Sequence, residues 1–584
     1  MIIIRDARSG KWRVFDRPLH IIVARRVEEV LPALAEVETA CMHHQRYAAV
    51  FISYEAAPAF DDALQTKPPD SFPLLWFGIY EDVEDRALDE LGPPAGTVSD
   101  ERWEAAISNE QYARVFDVLQ ELIRNGDTYQ INYTYRIHTH LQSDPYALFL
   151  RLADAQNPPF GAFVDIGDWI ICSASPELFF HRSGDTVESR PMKGTAARGL
   201  WFEQDLDRAR ELRGSEKERA ENVMIVDMVR NDLGRVAQPG TVRVANLFDV
   251  ERHPTVLQLT STVSAATDVP LVEVMRALFP AASITGAPKA RTMEIIAAVE
   301  SSPRRIYTGT IGFVEPGGRA QFNVAIRTVL VERATSHAEY GVGGGIVSDS
   351  VCEDEWEESR IKARALVARP PSFELLETML WKPDSGYVLL GRHLKRLLQS
   401  ADYFGFRADV LKVRDELEQY ARRLRDVPHR VRLVVSRRGS VDITSKTQDP
   451  DEGFPEIALA ADAIDPANPF LYHKTTNREV YEQAIARRPG FTDVLLYNDR
   501  GEVTESTIAN LVVAIDGELL TPPVACGLLP GTLRAHLLDE KKIREEVISV
   551  QRLRDAQECY LVNSVRGFHP VSIAYRSVSP CPSL

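Results

Sequence analysis

Two pairs of glutamates stand three residues apart, Glu218 with Glu221 and Glu355 with Glu358, a spacing that puts both carboxylates of a pair on one face of a helix. Lys362 extends the second face with a cation. A single such pair is ordinarily a solvated surface feature, because Glu is rarely buried. Two pairs far apart in sequence but close in space would suit Mg²⁺, a hard cation that takes one or two protein carboxylates and fills its shell with water and substrate oxygens. Gly343, Gly344 and Gly345 would let backbone approach a ligand closely, although a glycine-rich strand end alone reads as a bulge or turn.

Elements of both kinds must position these groups. The runs GAFVDIGDWIICSA and TIGFVEP read as strands, and a helical pattern extends from about Glu203 to Val236. Tyr112, Val115, Phe116, Leu119, Leu122 and Ile123 recur at helical spacing. After Pro371 the strand candidates VRLVVS, TDVLLYN and ANLVVAI alternate with helices. Arg369-Pro370-Pro371-Ser372 reads as a linker, since tandem prolines end a helix and force extended backbone. A weaker boundary lies at residues 91–100, LGPPAGTVSD, and the polar tail SVSPCPSL is expected to fray. The expectation is an α+β chain of two domains, 1–368 and 373–584, joined by residues 369–372.

The 584 residues exceed one ordinary core, and 44% hydrophobic with 26% charged residues describes a globular chain. A formal net charge of −16 argues against nucleic acid as a partner, so an anionic ligand would need a locally positive pocket. Six scattered cysteines form no zinc or disulfide pattern. No eighteen apolar residues run together and the first residues lack a signal-peptide core, so a cytoplasmic location without membrane contact is expected.

The segments GDTYQINYT, SPELFF, RPMKGTAAR, AENVMIVDMVRNDLGRV, SITGAPKARTMEII, FNVAIRT and GGGIVSDS…EWEESRIKA occur in an order that resembles the chorismate-utilising enzymes, the group containing anthranilate synthase component I and aminodeoxychorismate synthase component I. The resemblance covers about residues 45 to 368 and implies that fold, with large sheets and flanking helices. It implies chorismate as substrate, Glu221 and Glu358 as Mg²⁺ ligands, and Glu218 and Glu355 as supporting carboxylates. It assigns Arg327 and Lys362 to substrate carboxylates and Tyr307, Gly345 and Thr285 to the substrate pocket. Lys193 occupies the position before Gly where aminodeoxychorismate synthases often carry Lys and anthranilate synthases carry Ala. A Lys amine, as the free base, can attack the chorismate ring, displace the 4-hydroxyl and leave when ammonia enters at C4. Gln258 stands where anthranilate synthases have a His that assists pyruvate elimination, and Gln cannot exchange protons near neutral pH. The resemblance therefore implies a product that keeps its enolpyruvyl group.

Residues 373–570 resemble the fold-type IV pyridoxal-phosphate enzymes through FELLETM, GRHLKRLLQSA, YHKTTNR, TESTIANLVV, LLPGTLR and VNSVRGFHPV. That group includes aminodeoxychorismate lyase and D-amino-acid aminotransferases, and it implies a two-subdomain α/β fold. By resemblance Lys474 bonds pyridoxal 5′-phosphate and moves a proton, and Glu505 pairs with the pyridinium nitrogen. Arg396, the backbone N–H groups of Thr532 and Leu533, and the Ser564 hydroxyl would hold the phosphate, and Asn510 would support the loop. The fusion implies a lyase, because its substrate is the expected product of the first domain. Two alternatives stand beside this: an anthranilate-synthase-like domain joined to an amino-acid aminotransferase, and a catalytically silent regulatory fusion. None of the cysteines sits in a G-x-C-x-G elbow, so ammonia is expected from solution or from a glutamine amidotransferase subunit. Fold-type IV relatives commonly dimerise, which implies a homodimer through the pyridoxal-phosphate domain.

Overall fold

The computed structural model describes residues 1–99, 101–364, 366, 371–449 and 456–574. Arg369 and Pro370 of the expected linker, Asp100 of the weaker boundary and the whole tail SVSPCPSL lie outside the described residues. The chain divides into two units. One comprises Met1–Ala197 with Ala209–Pro370, and the other comprises Arg198–Arg208 with Pro371–Leu584.

In the first unit two ten-stranded sheets carry the fold. The pleat sends Ile2 and Ile4 to an apolar layer shared with Phe51, Phe77's neighbour Trp76 and Phe313 of the other sheet, while Ile3 faces the helices on its own sheet's outer side. Burial of each such side chain contributes about 1.5–3 kcal/mol. Among the flanking helices, α1 (Asn109–Arg124) buries Tyr112, Phe116, Leu119 and Ile123, as the helical spacing predicts, and Ser108 caps it by accepting from the Gln111 N–H. Strand β1 (Gln130–His140) follows in the first sheet, and β2 (Met192–Ala197) lies in the second.

The long helical pattern expected from Glu203 to Val236 is divided. It forms Phe202–Gly214 and then α2 (Glu216–Gly234), because Ser215 leaves the helical conformation and its side chain accepts from the Glu218 N–H. Strand β3 (Val256–Ala266) pairs with β2, setting Thr195 opposite Gln258. Strand β4 (His337–Ile346) runs antiparallel to β1 from His337 opposite His140 to Ile346 opposite Ile131, and α3 (Cys352–Arg364) follows it.

The second unit has a four-stranded sheet and a nine-stranded sheet, which gives the two-subdomain α/β architecture. In the smaller, β5 (Leu375–Lys382) packs against α4 (Leu390–Phe404), whose Leu394, Leu397 and Ala401 share a core with Leu375, Met379, Val431 and Leu433. In the larger, β6 (Val503–Ser506) and β7 (Asn510–Ile515) lead to α5 (Thr532–Asp539) and β8 (Glu558–Asn563). Arg198–Arg208 departs from a division at the prolines alone. The Arg198 guanidinium bonds Asp205 and lies over the Tyr403 ring, and Trp201 stacks on Tyr472. Among the described residues no helix is long and apolar enough to cross a membrane.

Candidate active sites

The first unit gathers its charged groups around Lys193. Asn222 of α2 donates to the Lys193 carbonyl at 3.1 Å and accepts from Ser261 on β3 at 2.6 Å, which registers the helix on the strand pair. That register puts Glu221 beside Lys193, with Nζ to Oε2 at 2.9 Å. Glu218, one turn earlier, lies against Gly194 and accepts from the Thr195 backbone N–H. Burial and then the neighbouring Glu221 push its carboxyl above the usual range.

From the opposite side, α3 presents Glu355 and Glu358. Glu355 lies against Gly344 and accepts from Ser350 at 2.7 Å, and burial raises its carboxyl with Glu358 adding to the effect. Against the burial that would raise it, Glu358 is held below the usual range by Lys362, whose Nζ is 2.8 Å away. Lys362 also donates to the Gly343 carbonyl at 2.8 Å. Among the described residues no three acidic, His or Cys side chains are arranged around one ion position, and Lys193 and Lys362 are the cations paired with Glu221 and Glu358. The donor set nonetheless fits Mg²⁺. Two carboxylates on each of α2 and α3 act on the same lysine, and burial, with the neighbouring carboxylate of each pair adding to it, drives Glu218 and Glu355 toward the acid form, a cost that a divalent cation relieves.

The groups beside Lys193 are polar, and one of them is unspent. A side-chain carbon on Gly345 would stand 3.0 Å from Lys193 Nζ and 3.3 Å from Gln130 Nε2, so Gly at this position leaves room for both. Among the described residues buried Gln130 Oε1 has no hydrogen-bond partner, as an atom that receives a ligand would. Arg327 sits in the left-handed region at φ 51° and has no carboxylate partner among the described residues; burial lowers its guanidinium. Tyr307 packs its ring on Gly341, under Arg136, and burial pushes its hydroxyl up to about 12. Thr285 is fully buried, its carbonyl accepting from the Asn132 N–H next to Gln130's strand neighbours, but its hydroxyl is taken up by Ala281 and Ala282 carbonyls.

Motif reading passed over Glu177. It is buried, accepts from Ser283 at 2.6 Å and from the N–H of Met192, the residue before Lys193, and burial pushes its carboxyl up to about 7. It stands in the quoted segment SPELFF, but only the fold sets it behind the lysine strand. Gln258 bonds Thr195 at 3.1 Å, two positions along β2 from Lys193.

In the second unit Lys474 is lowered to about 8, by burial first and then by Arg396. Buried Glu505 is raised to about 7 by burial, while it accepts from Tyr481 at 2.9 Å, from the Leu529 N–H at 3.0 Å and from Asn510 at 3.0 Å. Asn510 also donates to the Leu529 carbonyl at 2.9 Å, which ties β7 to the loop before α5. Gly531 precedes that helix, and any side chain there would strike Asn510 Oδ1. Thr532 and Leu533 open α5, where N–H groups have no acceptor within the helix and favour an anion. Arg396 is not a free cation. Its Nε and Nη2 bond Glu377 at 2.8 and 2.7 Å, and Nη1 reaches the Pro530 carbonyl at 3.2 Å. Ser564 bonds His393 at 2.9 Å, and Thr532 meets the same nitrogen at 3.3 Å. Glu377 and His393 were legible only as parts of FELLETM and GRHLKRL. The expected direct hold of Arg396 on a phosphate is weakened, because Glu377 takes its charge, and what fits a phosphate is the cradle of hydroxyls and helix N–H groups, while Lys474 with Glu505 fits a pyridine aldehyde.

Residues 2–368 match the chorismate binding enzymes, and the chain belongs to that family. Residues 374–574 match the class IV amino-transferases, so a chorismate-binding domain is joined to an aminotransferase-like one. The chain is 41% identical over 268 residues to aminodeoxychorismate synthase component 1 of Klebsiella aerogenes, covering 45% of this chain and 59% of that protein. It is 40% identical over 268 residues to anthranilate synthase component 1 of Streptomyces coelicolor, covering 45% of this chain and 52% of that one. The chain thus spans little more than half the length of these relatives. The crystal structure of anthranilate synthase component I from Streptococcus pneumoniae superposes with a TM-score of 0.54 at 25% identity, over 61% of this chain and 92% of that one.

Proposed function

We propose that this chain converts chorismate to 4-aminobenzoate, by amination to 4-amino-4-deoxychorismate in the first unit and elimination of pyruvate in the second. The observation that carries the reading is Lys193, its amine set among four carboxylates and against Gly345 and Gln130. Arg327, without a carboxylate of its own, suits one carboxylate of the chorismate dianion, and Lys362 suits the other. Glu221 and Glu358 would hold Mg²⁺, with Glu218 and Glu355 supporting, and the ion would neutralise substrate carboxylate charge.

The Lys193 nitrogen bonds to the ring as the C4–O bond breaks, and the hydroxyl leaves as water with a proton that Glu177, raised to about 7 by burial, would supply. Ammonia then bonds at C4, the Lys193 nitrogen leaves as the free amine, and the proton shed by the new ammonium group restores Glu177. Ammonia enters from solution or from a glutamine amidotransferase subunit. Gln258 supports arrest at this stage, because it offers no titrating group for pyruvate loss.

Pyridoxal phosphate, when bound, supplies an electron sink for charge developing at C4 of the aminated ring. Lys474, lowered to about 8, takes the C4 proton, and the enolpyruvyl oxygen leaves from C3 to give an aromatic ring. Glu505 is positioned for the pyridine nitrogen by Asn510, Tyr481 and Leu529. Incubation of the pure protein with chorismate, Mg²⁺, pyridoxal phosphate and ammonium should give 4-aminobenzoate and pyruvate. Anthranilate as product would favour the alternative fusion, and no product would favour a silent one.

A further inference from the structure

His393 and its partners form a buried cluster with a proton count that the phosphate cradle can change, an inference that rests on the pyridoxal-phosphate reading above. Glu377 on β5 receives three N–H groups: Arg396 Nε at 2.8 Å and Nη2 at 2.7 Å, and the His393 ring at 2.7 Å. A carboxylate accepting from two guanidinium donors has no proton of its own to give, so His393 Nδ1 carries the hydrogen of that third contact. The Arg396 and His393 contacts hold Glu377, despite its burial, down to about 2, in keeping with this assignment.

In a neutral imidazole with hydrogen on Nδ1, Nε2 is a lone pair. Its neighbours are the hydroxyls of Ser564 at 2.9 Å and Thr532 at 3.3 Å. One of those two hydroxyls must then turn its single proton toward His393 and show only lone pairs to an incoming anion. Charge tells the same way. Glu377 cancels Arg396 within the cluster, which leaves Lys474 as the other cation acting on His393. Without an anion, burial lowers the imidazole, with Arg396 and Lys474 acting in the same direction against Glu377.

We propose that the cradle takes up its phosphate together with a proton on His393 Nε2, which reverses the hydrogen bonds to Ser564 and Thr532 so that both hydroxyls donate outward. The solvent supplies that proton, and Glu377 is the positioning residue that fixes the ring and balances the imidazolium. By linkage, phosphate affinity then falls as pH rises through the imidazolium range of the loaded protein, tenfold per pH unit for one proton.

The test is calorimetric titration of the full chain with pyridoxine 5′-phosphate, which has the phosphate but no aldehyde to react with Lys474. Buffers of different ionisation heat at one pH report the protons exchanged. Wild type should take up about one proton more than His393→Gln, and the slope of log affinity against pH should differ by about one between them. Equal uptake and equal slopes would overturn the proposal. Sulfate, a tetrahedral dianion with no titrating group in this range, serves if His393→Gln does not fold: wild type should bind it with proton uptake, and binding without exchange overturns the coupling. If wild type fails to bind pyridoxine 5′-phosphate at all, the cofactor reading itself falls, a result distinct from binding without a proton.

Discussion

Replacement of Gly345 by Ala separates the chemistry of Lys193 from the stability of the fold. The added carbon would lie 3.0 Å from Lys193 Nζ and 3.3 Å from Gln130 Nε2, both short of ordinary contact. Each neighbour is the far end of a flexible side chain, so the strain is relieved by a retreat of a few tenths of an ångström. A misplacement of 1 Å in a reacting group costs about 10²-fold, so a retreat of part of that distance predicts roughly a 10-fold fall in amination, or about 1.4 kcal/mol in the barrier. Stability should change by no more than about 1 kcal/mol, because the backbone entropy gained by replacing a strand glycine, about 0.5–1 kcal/mol, offsets the crowding at this half-buried position. The assay measures aminodeoxychorismate from chorismate, Mg²⁺ and ammonium, with pyruvate release from supplied aminodeoxychorismate as an internal control on the second unit. Gly343→Ala is the contrasting variant: its carbon would meet the Tyr133 backbone oxygen at 2.2 Å within the β1–β4 ladder, and the first unit should fail to fold. Undiminished amination by Gly345→Ala would refute the placement of the reacting amine in this pocket.

Lys193→Ala should abolish or reroute amination while the elimination of supplied aminodeoxychorismate continues, and full amination would remove the covalent role. Lys474→Ala should let aminodeoxychorismate accumulate from chorismate. In wild type, visible absorbance on mixing with pyridoxal phosphate should develop faster as pH rises through about 8 and level off above it, because a lowered Lys474 loses its proton there; a midpoint near 10.5 would contradict the burial argument. Glu377→Gln should destabilise the second unit by about 3 kcal/mol near neutral pH, since it breaks a buried charge pair. Glu377 is depressed in the fold, so its stabilisation is present above 4.5 and is lost as pH falls toward about 2. Denaturant titrations of wild type and variant should therefore converge over that acid range.

Much of the architecture was legible in local pattern. Tyr112, Phe116, Leu119 and Ile123 marked their helix, and ANLVVAI marked β7, because helix and strand periods are properties of short stretches. Ser215 was the local signal missed: a capping residue within a helical pattern divides it, and the expected single helix became two. The excursion Arg198–Arg208 gave no composition shift to mark its grouping with the second unit, which depends on partners such as Tyr403 and Tyr472 far later in the chain.

The chemistry divides in the same manner. Ordered motifs were enough to nominate Lys193, Glu221, Glu358, Lys474 and Glu505, since residue type and local context belong to the chain itself. Which charge meets which was decided by the tertiary structure. The pairing of Lys193 with Glu221 and of Lys362 with Glu358, the unspent Gln130 oxygen, the buried Glu177 and the Glu377–His393–Ser564 chain all join segments distant in sequence, except the one-turn Lys362 pair. Burial and hydrogen-bond partners set whether a carboxyl is held near 2, as in Glu377, or raised to about 7, as in Glu505. Residue type is written along the chain, whereas protonation and reach depend on neighbours that only folding supplies.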